Sequence, residues 1–389
     1  MGEAKSRDPQ GTYVTSTVSG ETVRAFVPPP LPPPNLDLNG LYRQLEQANQ
    51  GLGRLNGMTK LLPDIRFLLY LYVRKEALVS SQIEGTQSSF ADLLLFENKA
   101  TPHVAVEDVE EVSNYVAALQ HGLRRLKGGF PLSLRLIREI HAILLKGGHG
   151  ANKMPGEFRR SQNWIGGTRP GNASYVPPPP ERLMECLGEF EKFLHDDKHD
   201  LPVLIDAGLM HVQFESIHPF LDGNGRLGRL LITLLLCAKG VLSAPLLYPS
   251  LFFKANRSRY YELLQGVRGE GAWEDWLAFF LEGMASAAKE ATDTADRTVR
   301  LFAKDRSKIE KLGRASGSAL RVHELMQTNP FLRIRTATKA LKLTVPTVTS
   351  ALNHLMELGI VKEISGKKRD RLFSYFQYVR MVSGDTQPL

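Results

Sequence analysis

Cysteine is scarce in this chain, and long apolar runs are missing. Only Cys186 and Cys237 occur among 389 residues, which excludes a disulfide framework and fits a reducing compartment. The apolar run 230–238 is far shorter than the roughly 20 residues that a membrane-spanning helix needs. The N-terminus lacks the apolar core of a signal peptide. These absences predict a cytoplasmic protein without membrane contact.

The bulk composition is that of an ordinary globular protein, but its charge is unevenly placed. The chain is 42% hydrophobic and 23% charged, and it is long enough for two or three domains. Residues 297–380 carry 18 Lys and Arg against 6 Asp and Glu, an excess of +12. The net charge is +8, so the remainder stands at −4. Partners of the basic C-terminal part therefore need separate consideration.

Apolar spacing predicts a mainly α-helical, multidomain protein. Residues 1–35 are polar and end in the proline-rich run 28–34, which favours a stiff segment packed along the body. Helical spacing vanishes between 155 and 180, where Gly, Pro and Asn dominate. The predicted boundaries are 1–35 for the polar segment, 36–105 for a helical N-terminal region, 106–290 for a helical core, 291–317 for a basic connector and 318–380 for a C-terminal domain.

The most informative run is His-Pro-Phe-Leu-Asp-Gly-Asn-Gly-Arg-Leu-Gly-Arg at 218–229. Its Gly-Asn-Gly centre suits a loop whose N–H groups converge on an anion, and the apolar run that follows predicts a buried helix. The N-terminus of such a helix attracts phosphate. Arg226 and Arg229 share one face of its first turn. Asp222 offers an oxygen to Mg²⁺ and His218 a general base, so the run predicts a nucleotide phosphate site.

This run resembles the signature of Fic-domain proteins at every fixed position. Ala207, His211, Phe214 and Ile217 match the positions that precede the signature in the family. The resemblance implies a Fic-type helical core with a small β-hairpin flap. It also implies transfer of AMP from ATP to a Ser, Thr or Tyr hydroxyl of a target protein and of the enzyme itself. His211, on an apolar helix face, is interpreted as structural.

The family's roles are carried over position by position. His218 would deprotonate the target hydroxyl and Asp222 would hold Mg²⁺. Asn224 with the 223–225 backbone would grip the α-phosphate, while both arginines would hold the β- and γ-phosphates. Tyr261 lies in a segment that resembles the adenine pocket, and the alternative for it is a core position. The residues assigned to ATP are Gly223, Asn224, Gly225, Arg226, Leu227, Gly228, Arg229 and Tyr261.

A second motif bears on regulation. Ser80-Ser81-Gln82-Ile83-Glu84-Gly85 matches the [S/T]-x-x-x-E-[G/N] inhibitory helix of one Fic class. Helical apolar spacing precedes it, and Gly85 is suited to ending the helix. Glu84 would then lie at a helix C-terminus, where the macrodipole disfavours an anion and a cationic partner is stabilising. The resemblance implies that Glu84, with Ser80 one turn before it, holds Arg229 away from the γ-phosphate.

The irregular stretch 158–176 resembles the Fic flap that lies over the site. Ser161, Gln162, Asn163, Trp164 and Ile165 are predicted to form an exposed edge strand, followed by a turn at the glycines 166–167. A target segment would pair with this edge through main-chain hydrogen bonds. An ordinary surface loop is the alternative.

The C-terminal segment resembles a winged-helix domain. Thr344 is predicted to cap a helix that begins Val345-Pro346, and 361–378 reads as two strands around a basic wing at 366–371. This shape predicts contact with DNA, and docking to a protein is the alternative.

The leading hypothesis is therefore a protein adenylyltransferase autoinhibited by Glu84. One rival is an enzyme of the same site that removes AMP, or does both reactions. Another is a DNA-binding regulator whose core senses ATP, although a sensor needs no base such as His218. The sequence names neither the target protein nor its acceptor residue, and it leaves a homodimer open.

Overall fold

The computed structural model describes residues 11–18, 20–61, 65–97, 102, 104–196, 200–367, 369–383 and 386. Within these ranges the protein is mostly helical. None of the described helices is both long and apolar enough to cross a bilayer. The N-terminal and core helices are α1 (Tyr42–Leu61), α2 (Arg66–Ile83), α3 (Phe90–Glu97), α4 (Val106–Lys127), α5 (Leu134–Leu144), α6 (Pro180–His195), α7 (Val203–Ile217), α8 (Asn224–Ala238), α9 (Ser250–Ala255), α10 (Arg257–Glu270) and α11 (Trp273–Glu310).

Local sequence explains several helix ends. The Ser133 hydroxyl accepts the N–H of Leu136 and caps α5, and Pro180 occupies the tolerated first position of α6. Gly271 ends α10 at φ 64, in the left-handed region that glycine adopts at little cost. These signals fix where the helices stop, so the connecting loops can reach the functional site.

Helices α7 and α8 form the centre of the molecule. Every residue from Leu204 to Ile217 in α7 is buried, and α8 is buried along nearly its whole length. Helix α4 packs close to α8 because residue 122 is glycine. A Cβ there would lie 2.8 Å from a Leu234 methyl and 3.1 Å from an Ile140 methyl. The core thus holds two helices whose joining loop must also be largely enclosed.

Helix α11 is continuous over 38 residues, or about 57 Å at 1.5 Å per residue. Trp276 is buried in the core near its start, and Phe302 is buried near its other end. The predicted boundary at 290/291 therefore falls inside one helix. Most of the predicted basic helical connector, 291–317, is thus helical and continues directly from the core.

The N-terminal segment contains a β-hairpin that the sequence pattern did not predict. Strands β1 (Thr12–Val18) and β2 (Glu21–Val27) pair in antiparallel register, with Thr12 opposite Val27. The Phe26 N–H donates to the Val176 carbonyl at 2.9 Å, which attaches the hairpin to the loop at 158–176. Threonine and valine favour strands, but the following proline run concealed this pattern.

The C-terminal part combines helices with a three-stranded antiparallel sheet. Its elements are α12 (Ser316–Thr328), β3 (Phe331–Arg333), α13 (Ile334–Leu341), α14 (Val345–Glu357), β4 (Lys362–Glu363), β5 (Leu372–Ser374) and α15 (Phe376–Ser383). The strand order is β3-β5-β4. The Thr344 hydroxyl caps α14 by accepting the N–H of Thr347, as the sequence predicts for this position. Tyr375 joins the part to α11 by donating to Asp305 at 2.8 Å.

We predict that Gly122→Val destabilises the protein by about 1–3 kcal/mol, because the new side chain overpacks the contact between α4 and α8. Gly53→Val is the matched control, since a Cβ at that α1 position meets no atom within 4 Å. Valine exceeds glycine slightly in helix propensity, so the control should be neutral or slightly stabilising. Urea denaturation of both variants measures the difference, and equal midpoints would contradict the packing account.

Candidate active site

The loop 218–223 joins the buried helices α7 and α8. His218 ends α7 in the left-handed conformation, with φ 48 and ψ 61, and its N–H donates to the Phe214 carbonyl. Gly223 precedes α8 at φ 75, a conformation that favours glycine. The first turn of α8 thus lies at the end of a sharply folded loop, and its N–H groups are available to an anion.

Asn224 holds this loop closed. Its side-chain oxygen accepts the N–H of Phe220 and its amide donates to the carbonyl of the same residue, both at 2.9 Å. The side chain is buried. The family resemblance assigns Asn224 to the α-phosphate, but its side chain is used within the loop. In the neighbouring main chain, the Gly223 N–H donates to Oδ1 of Asp222, and the assignment of residues 223–225 to the α-phosphate stays a prediction.

His141 of α5 supports the loop from the other side, although no sequence motif marked it. Its ring stacks on Phe220, with centroids 3.7 Å apart and planes 12° apart. Its Nδ1 accepts the N–H of Gly156 at 2.8 Å, so a neutral ring carries its proton on Nε2, which lies 3.0 Å from the Asp222 carbonyl. Burial lowers the pKa of His141 to about 4. The one signal for it in the sequence was a histidine in an amphipathic helix.

The environment of His218 keeps its imidazole neutral. Burial, reinforced by the nearby Arg268 and Arg159, lowers the pKa of His218 to about 3. A neutral imidazole can accept a proton at any pH near neutrality. The predicted general base is therefore in the protonation state that the role requires.

Arg159 is the second supporting residue that the sequence did not reveal. Its Nε donates to the carbonyl of His218 at 3.0 Å, and its main-chain N–H donates to that of Pro219 at 2.9 Å. It also bonds the carbonyls of Ser161 and Pro178. The guanidinium thus satisfies carbonyls at the end of α7, where a cation is favoured. No motif marked this position, because its partners come from distant segments.

Arg226 points into an acidic pair at the mouth of the loop. Its Nη1 lies 2.8 Å from Oε2 of Glu111 in α4, and its Nη2 lies 3.7 Å from Oδ2 of Asp222. Nothing in the sequence singled out Glu111, because it is one of several acids early in α4. Asp222 remains substantially exposed, and its Oδ1 accepts the N–H of Gly223 at 2.7 Å.

A magnesium ion fits this arrangement only if the protein and the nucleotide phosphates both supply its ligands. Among the described residues, no three His, Cys, Asp or Glu side chains converge on one point. Asp222 nevertheless presents a carboxylate oxygen beside the N-terminus of α8. Mg²⁺ is commonly held by one or two carboxylates together with substrate phosphates. The donor set therefore suits a metal that arrives with a nucleotide.

Arg229 is held by helix α2. Its Nη2 lies 2.6 Å from Oε1 of Glu84 and 2.9 Å from the carbonyl of Ser80, while its Nε donates to the Ser80 hydroxyl at 2.9 Å. The arginine is buried, whereas the Glu84 side chain is 37% exposed. Glu84 caps the end of α2, as its place in the motif implied. Both motif residues of α2 therefore engage the second arginine of the loop helix.

Three further positions of the run have roles in packing. A Cβ at Gly225 would lie 2.2 Å from the Glu84 carboxylate, so glycine is what allows α2 to approach α8. A Cβ at Gly228 would lie 2.6 Å from the carboxylate of Glu215 in α7. Leu227 is fully buried in the core. The Leu227 side chain and the Cβ position of Gly228 thus face neighbouring protein, and their assignment to ATP stays a prediction.

The two adjacent tyrosines of α10 differ in their surroundings. Tyr260 is buried, and its hydroxyl lies 2.8 Å from Nε2 of His211. His211 stacks on Phe253 and Trp276, in keeping with its structural interpretation. Tyr261 is 40% exposed, and burial followed by the charge of Glu84 raises its pKa. Tyr261 therefore lies near the site with an accessible ring.

The predicted flap forms less regular structure than expected. Within 158–176, all of which is described, a single antiparallel bridge joins Ile165 to Tyr175, and Gly166 and Gly167 turn the chain at φ 68 and 69. The predicted edge strand 161–165 does not form. Side-chain hydrogen bonds hold the segment 161–165 instead. Gln162 donates to the Pro177 carbonyl, and Asn163 donates to the Phe220 carbonyl. Ser161 is exposed, whereas 162–165, including Trp164, are half-buried.

The hairpin at the N-terminus reinforces this flap. Glu21 accepts from Arg169 at 2.9 Å and from the N–H of Gly171 at 2.8 Å. A small separate cluster of apolar side chains lies between the hairpin and the flap, formed by Val18, Val23, Ala25 and Val176 with Val14, Trp164 and Ala173 against it. The flap is therefore part of a larger surface than its sequence indicated.

Comparison with known proteins agrees with this geometry. Residues 42–124 match the Fic/DOC family N-terminal region, and residues 131–236 match the Fic/DOC family domain. The chain is 34% identical to Protein adenylyltransferase Fic of Aedes aegypti over 227 residues, which are 57% of this chain and 40% of that protein. It is 31% identical to the protein of the same name from Culex quinquefasciatus over 270 residues, 65% of this chain and 50% of that protein. The chain thus spans half or less of the length of these relatives.

Solved structures share the fold. A Fic family protein from Desulfovibrio desulfuricans superimposes with a TM-score of 0.57 at 19% identity, covering 88% of this chain and 97% of that one. Residues 134–508 of Fic-1 from C. elegans superimpose with a TM-score of 0.50 at 20% identity, covering 66% of this chain and 73% of that one. The chain therefore contains a Fic/DOC family N-terminal region at 42–124 and a Fic/DOC family domain at 131–236.

Proposed function

We propose that the protein transfers AMP from ATP to a hydroxyl group of a target protein and of itself. The observation that carries this proposal is the short loop 218–223, which joins His218 at the end of α7 to the N-terminus of α8. The names of the two insect relatives support the same reaction. In this reaction the target oxygen attacks the α-phosphorus of ATP, the hydroxyl proton moves to His218, and pyrophosphate leaves.

Each part of the loop would bind a different part of the nucleotide. The main chain at 223–225 would bind the α-phosphate through its N–H groups. Arg226 and Arg229 would bind the outer phosphates through charge-assisted hydrogen bonds. Asp222 would hold Mg²⁺ together with the phosphates, and the ion would neutralise charge on the leaving group. Tyr261 would stack on the base.

We further propose that the described state is autoinhibited. Arg229 cannot bind a γ-phosphate while both its Nε and Nη2 are bonded to α2. The Glu84 carboxylate also covers Gly225, and so it occupies space beside the N-terminus of α8. ATP would bind in this state without the geometry that transfer requires.

His218→Ala should abolish labelling of protein by ATP that carries its label at the α-phosphate, while ATP binding is largely retained. Removal of a positioned base typically costs about 10²–10⁴ in rate. The measurement is autoradiography after incubation with α-labelled or γ-labelled ATP. His195→Ala, which removes a histidine at the far end of α6, should label like wild type. Label that arrives only from the γ-position would make the protein a kinase.

Glu84→Gly should raise self-labelling and target labelling, because it frees Arg229 and clears the space above Gly225. The gain should appear in rate more than in ATP affinity. Glu97→Gly is a matched control, since Glu97 also ends a helix and pairs with an arginine, Arg74, at 3.0 Å. Equal activity of the Glu84 variant and wild type would refute autoinhibition.

The rival reaction at this site is removal of AMP, with Glu84 positioning water. The partial exposure of Glu84 at the mouth of the loop keeps this rival open. Wild-type protein and the Glu84→Gly variant can be incubated with a target that already carries AMP. Release by wild type, absent in the variant, would identify a bifunctional enzyme.

We also propose that residues 318–380 form a winged helix that contacts DNA. The order of elements and the strand order β3-β5-β4 support this assignment. Helix α14 exposes its first turn, including Val345, and the wing exposes Lys367 and Arg369. The basic excess of this part of the chain suits phosphate contacts.

We further propose a cytoplasmic location for the protein, which its two free cysteines support.

A triple variant tests the DNA interaction. Arg335→Ala, Lys339→Ala and Lys342→Ala remove three exposed cations at α13 and its end. We expect weaker binding of a DNA duplex and a shallower dependence of log affinity on log salt, by about 0.9 for each phosphate that is no longer neutralised. Arg43→Ala, Arg135→Ala and Lys192→Ala remove three exposed cations of the core as the control. DNA binding is measured by fluorescence anisotropy across a salt series. A slope of log affinity against log salt that the triple variant leaves unchanged would indicate that the domain docks to protein instead.

A further inference from the structure

A buried carboxylate faces the general base and has no assigned role. Glu215 lies one turn before His218 at the end of α7, and its side chain is buried. Its Oε2 lies 4.0 Å from Nδ1 of His218. Within the described part of the chain, neither Nδ1 of His218 nor Oε1 of Glu215 has a hydrogen-bond partner. Buried polar atoms without partners are costly, and these two neighbouring side chains carry one each, so their proximity needs an explanation.

The surroundings of Glu215 restrict where its carboxylate can go. Oε1 lies against α8 at Gly228, where an added Cβ would come within 2.6 Å of it. The glycine thus makes room for the carboxylate between the two central helices. A separation of 4.0 Å to the imidazole is too short for an intervening water, and an approach of about 1 Å would form a direct hydrogen bond.

The charges around His218 show what a carboxylate would supply. Burial opposes protonation of the imidazole most strongly, followed by Arg268 of α10 and Arg159, whereas the main-chain carbonyl of Glu215 favours it. Abstraction of a proton nevertheless makes the imidazole cationic. The charged and titratable groups that face Glu215 and His218 from the neighbouring elements are Arg229 of α8, Glu84 of α2, Arg268 and Tyr260 of α10, and Arg159. Among these, Glu84 pairs with Arg229, which leaves Glu215 as the anion beside the imidazole.

We propose that Glu215 is the positioning residue of His218. Its carboxylate accepts a hydrogen bond from Nδ1–H, which directs the lone pair of Nε2 outward to the target hydroxyl. When the hydroxyl proton moves to Nε2, the carboxylate offsets the charge of the imidazolium. This inference rests on the proposed AMP transfer and adds a residue to it.

The protonation of Glu215 predicts how the rate of AMP transfer depends on pH. Burial raises the pKa of Glu215 to about 7, so its carboxylate form is populated only as the pH rises through that value. Transfer should therefore increase with pH between about 6 and 8. The His218 imidazole contributes nothing to this increase, because its own pKa lies near 3 and it is neutral throughout the interval.

The test compares two buried glutamates in the Glu84→Gly background. Glu76 is equally buried and burial raises its pKa to about 7 as well, but it bonds Ser250 and Tyr115 instead of a histidine. Glu215→Gln should lower the rate of transfer by about 10–100-fold and remove its increase between pH 6 and 8, with ATP binding unchanged. Glu76→Gln should keep the increase. Transfer is followed with α-labelled ATP across the pH range.

A second substitution distinguishes loss of the Glu215 carboxylate from a folding defect. Glu215→Asp keeps a carboxylate and should keep the pH-dependent increase at a reduced rate. A folded aspartate variant without the increase, or a glutamine variant that retains it, would overturn the inference. Loss of ATP binding in step with transfer would show that Glu215 is only structural. If the Glu84→Gly protein itself transfers no AMP, the proposed function fails and not merely the role of Glu215.

Discussion

The loop 218–223 lies between two helices that are both buried, and so its polar groups must find partners inside the protein. Asn224 meets this constraint by bonding both main-chain groups of Phe220, and His141 meets it by bonding the Asp222 carbonyl. Arg159 satisfies the carbonyl of His218. These bonds fix the loop and the first turn of α8 in place. The N-terminus of α8 is therefore held in a defined position within the buried core.

The same burial sets the chemistry of the base. A helix C-terminus attracts cations, and Arg159 and Arg268 both lie at the end of α7. These cations stabilise the fold and at the same time keep His218 neutral. If His218 acts as the proposed base, it needs an anion nearby once it has taken a proton. Glu215, one turn away in α7, is the residue proposed to supply it.

Helix α2 connects the loop to the C-terminal part of the chain. Ser80 and Glu84 hold Arg229, while Gln82 between them donates to the carbonyls of Ser88 and Thr386 and accepts from Lys254. Thr386 follows α15, so the end of the C-terminal part rests on the helix that blocks the arginine. The position of α2 thus depends on contacts from both parts of the protein.

The helical class and the loop between two buried helices follow from the sequence alone, whereas the pairing of Glu84 with Arg229 was implied by the resemblance to one Fic class. These features depend on spacing within short segments, where period and glycine placement are direct consequences of backbone geometry. Tertiary structure decided the rest. It turned Asn224 inward, buried Leu227, placed Gly228 against α7, and replaced the predicted edge strand 161–165 by side-chain bonds. It also brought His141, Arg159 and Glu111 to the loop from segments far away in the chain. Such contacts form between buried polar groups that still lack partners once the helices have packed, and no local sequence pattern predicts them.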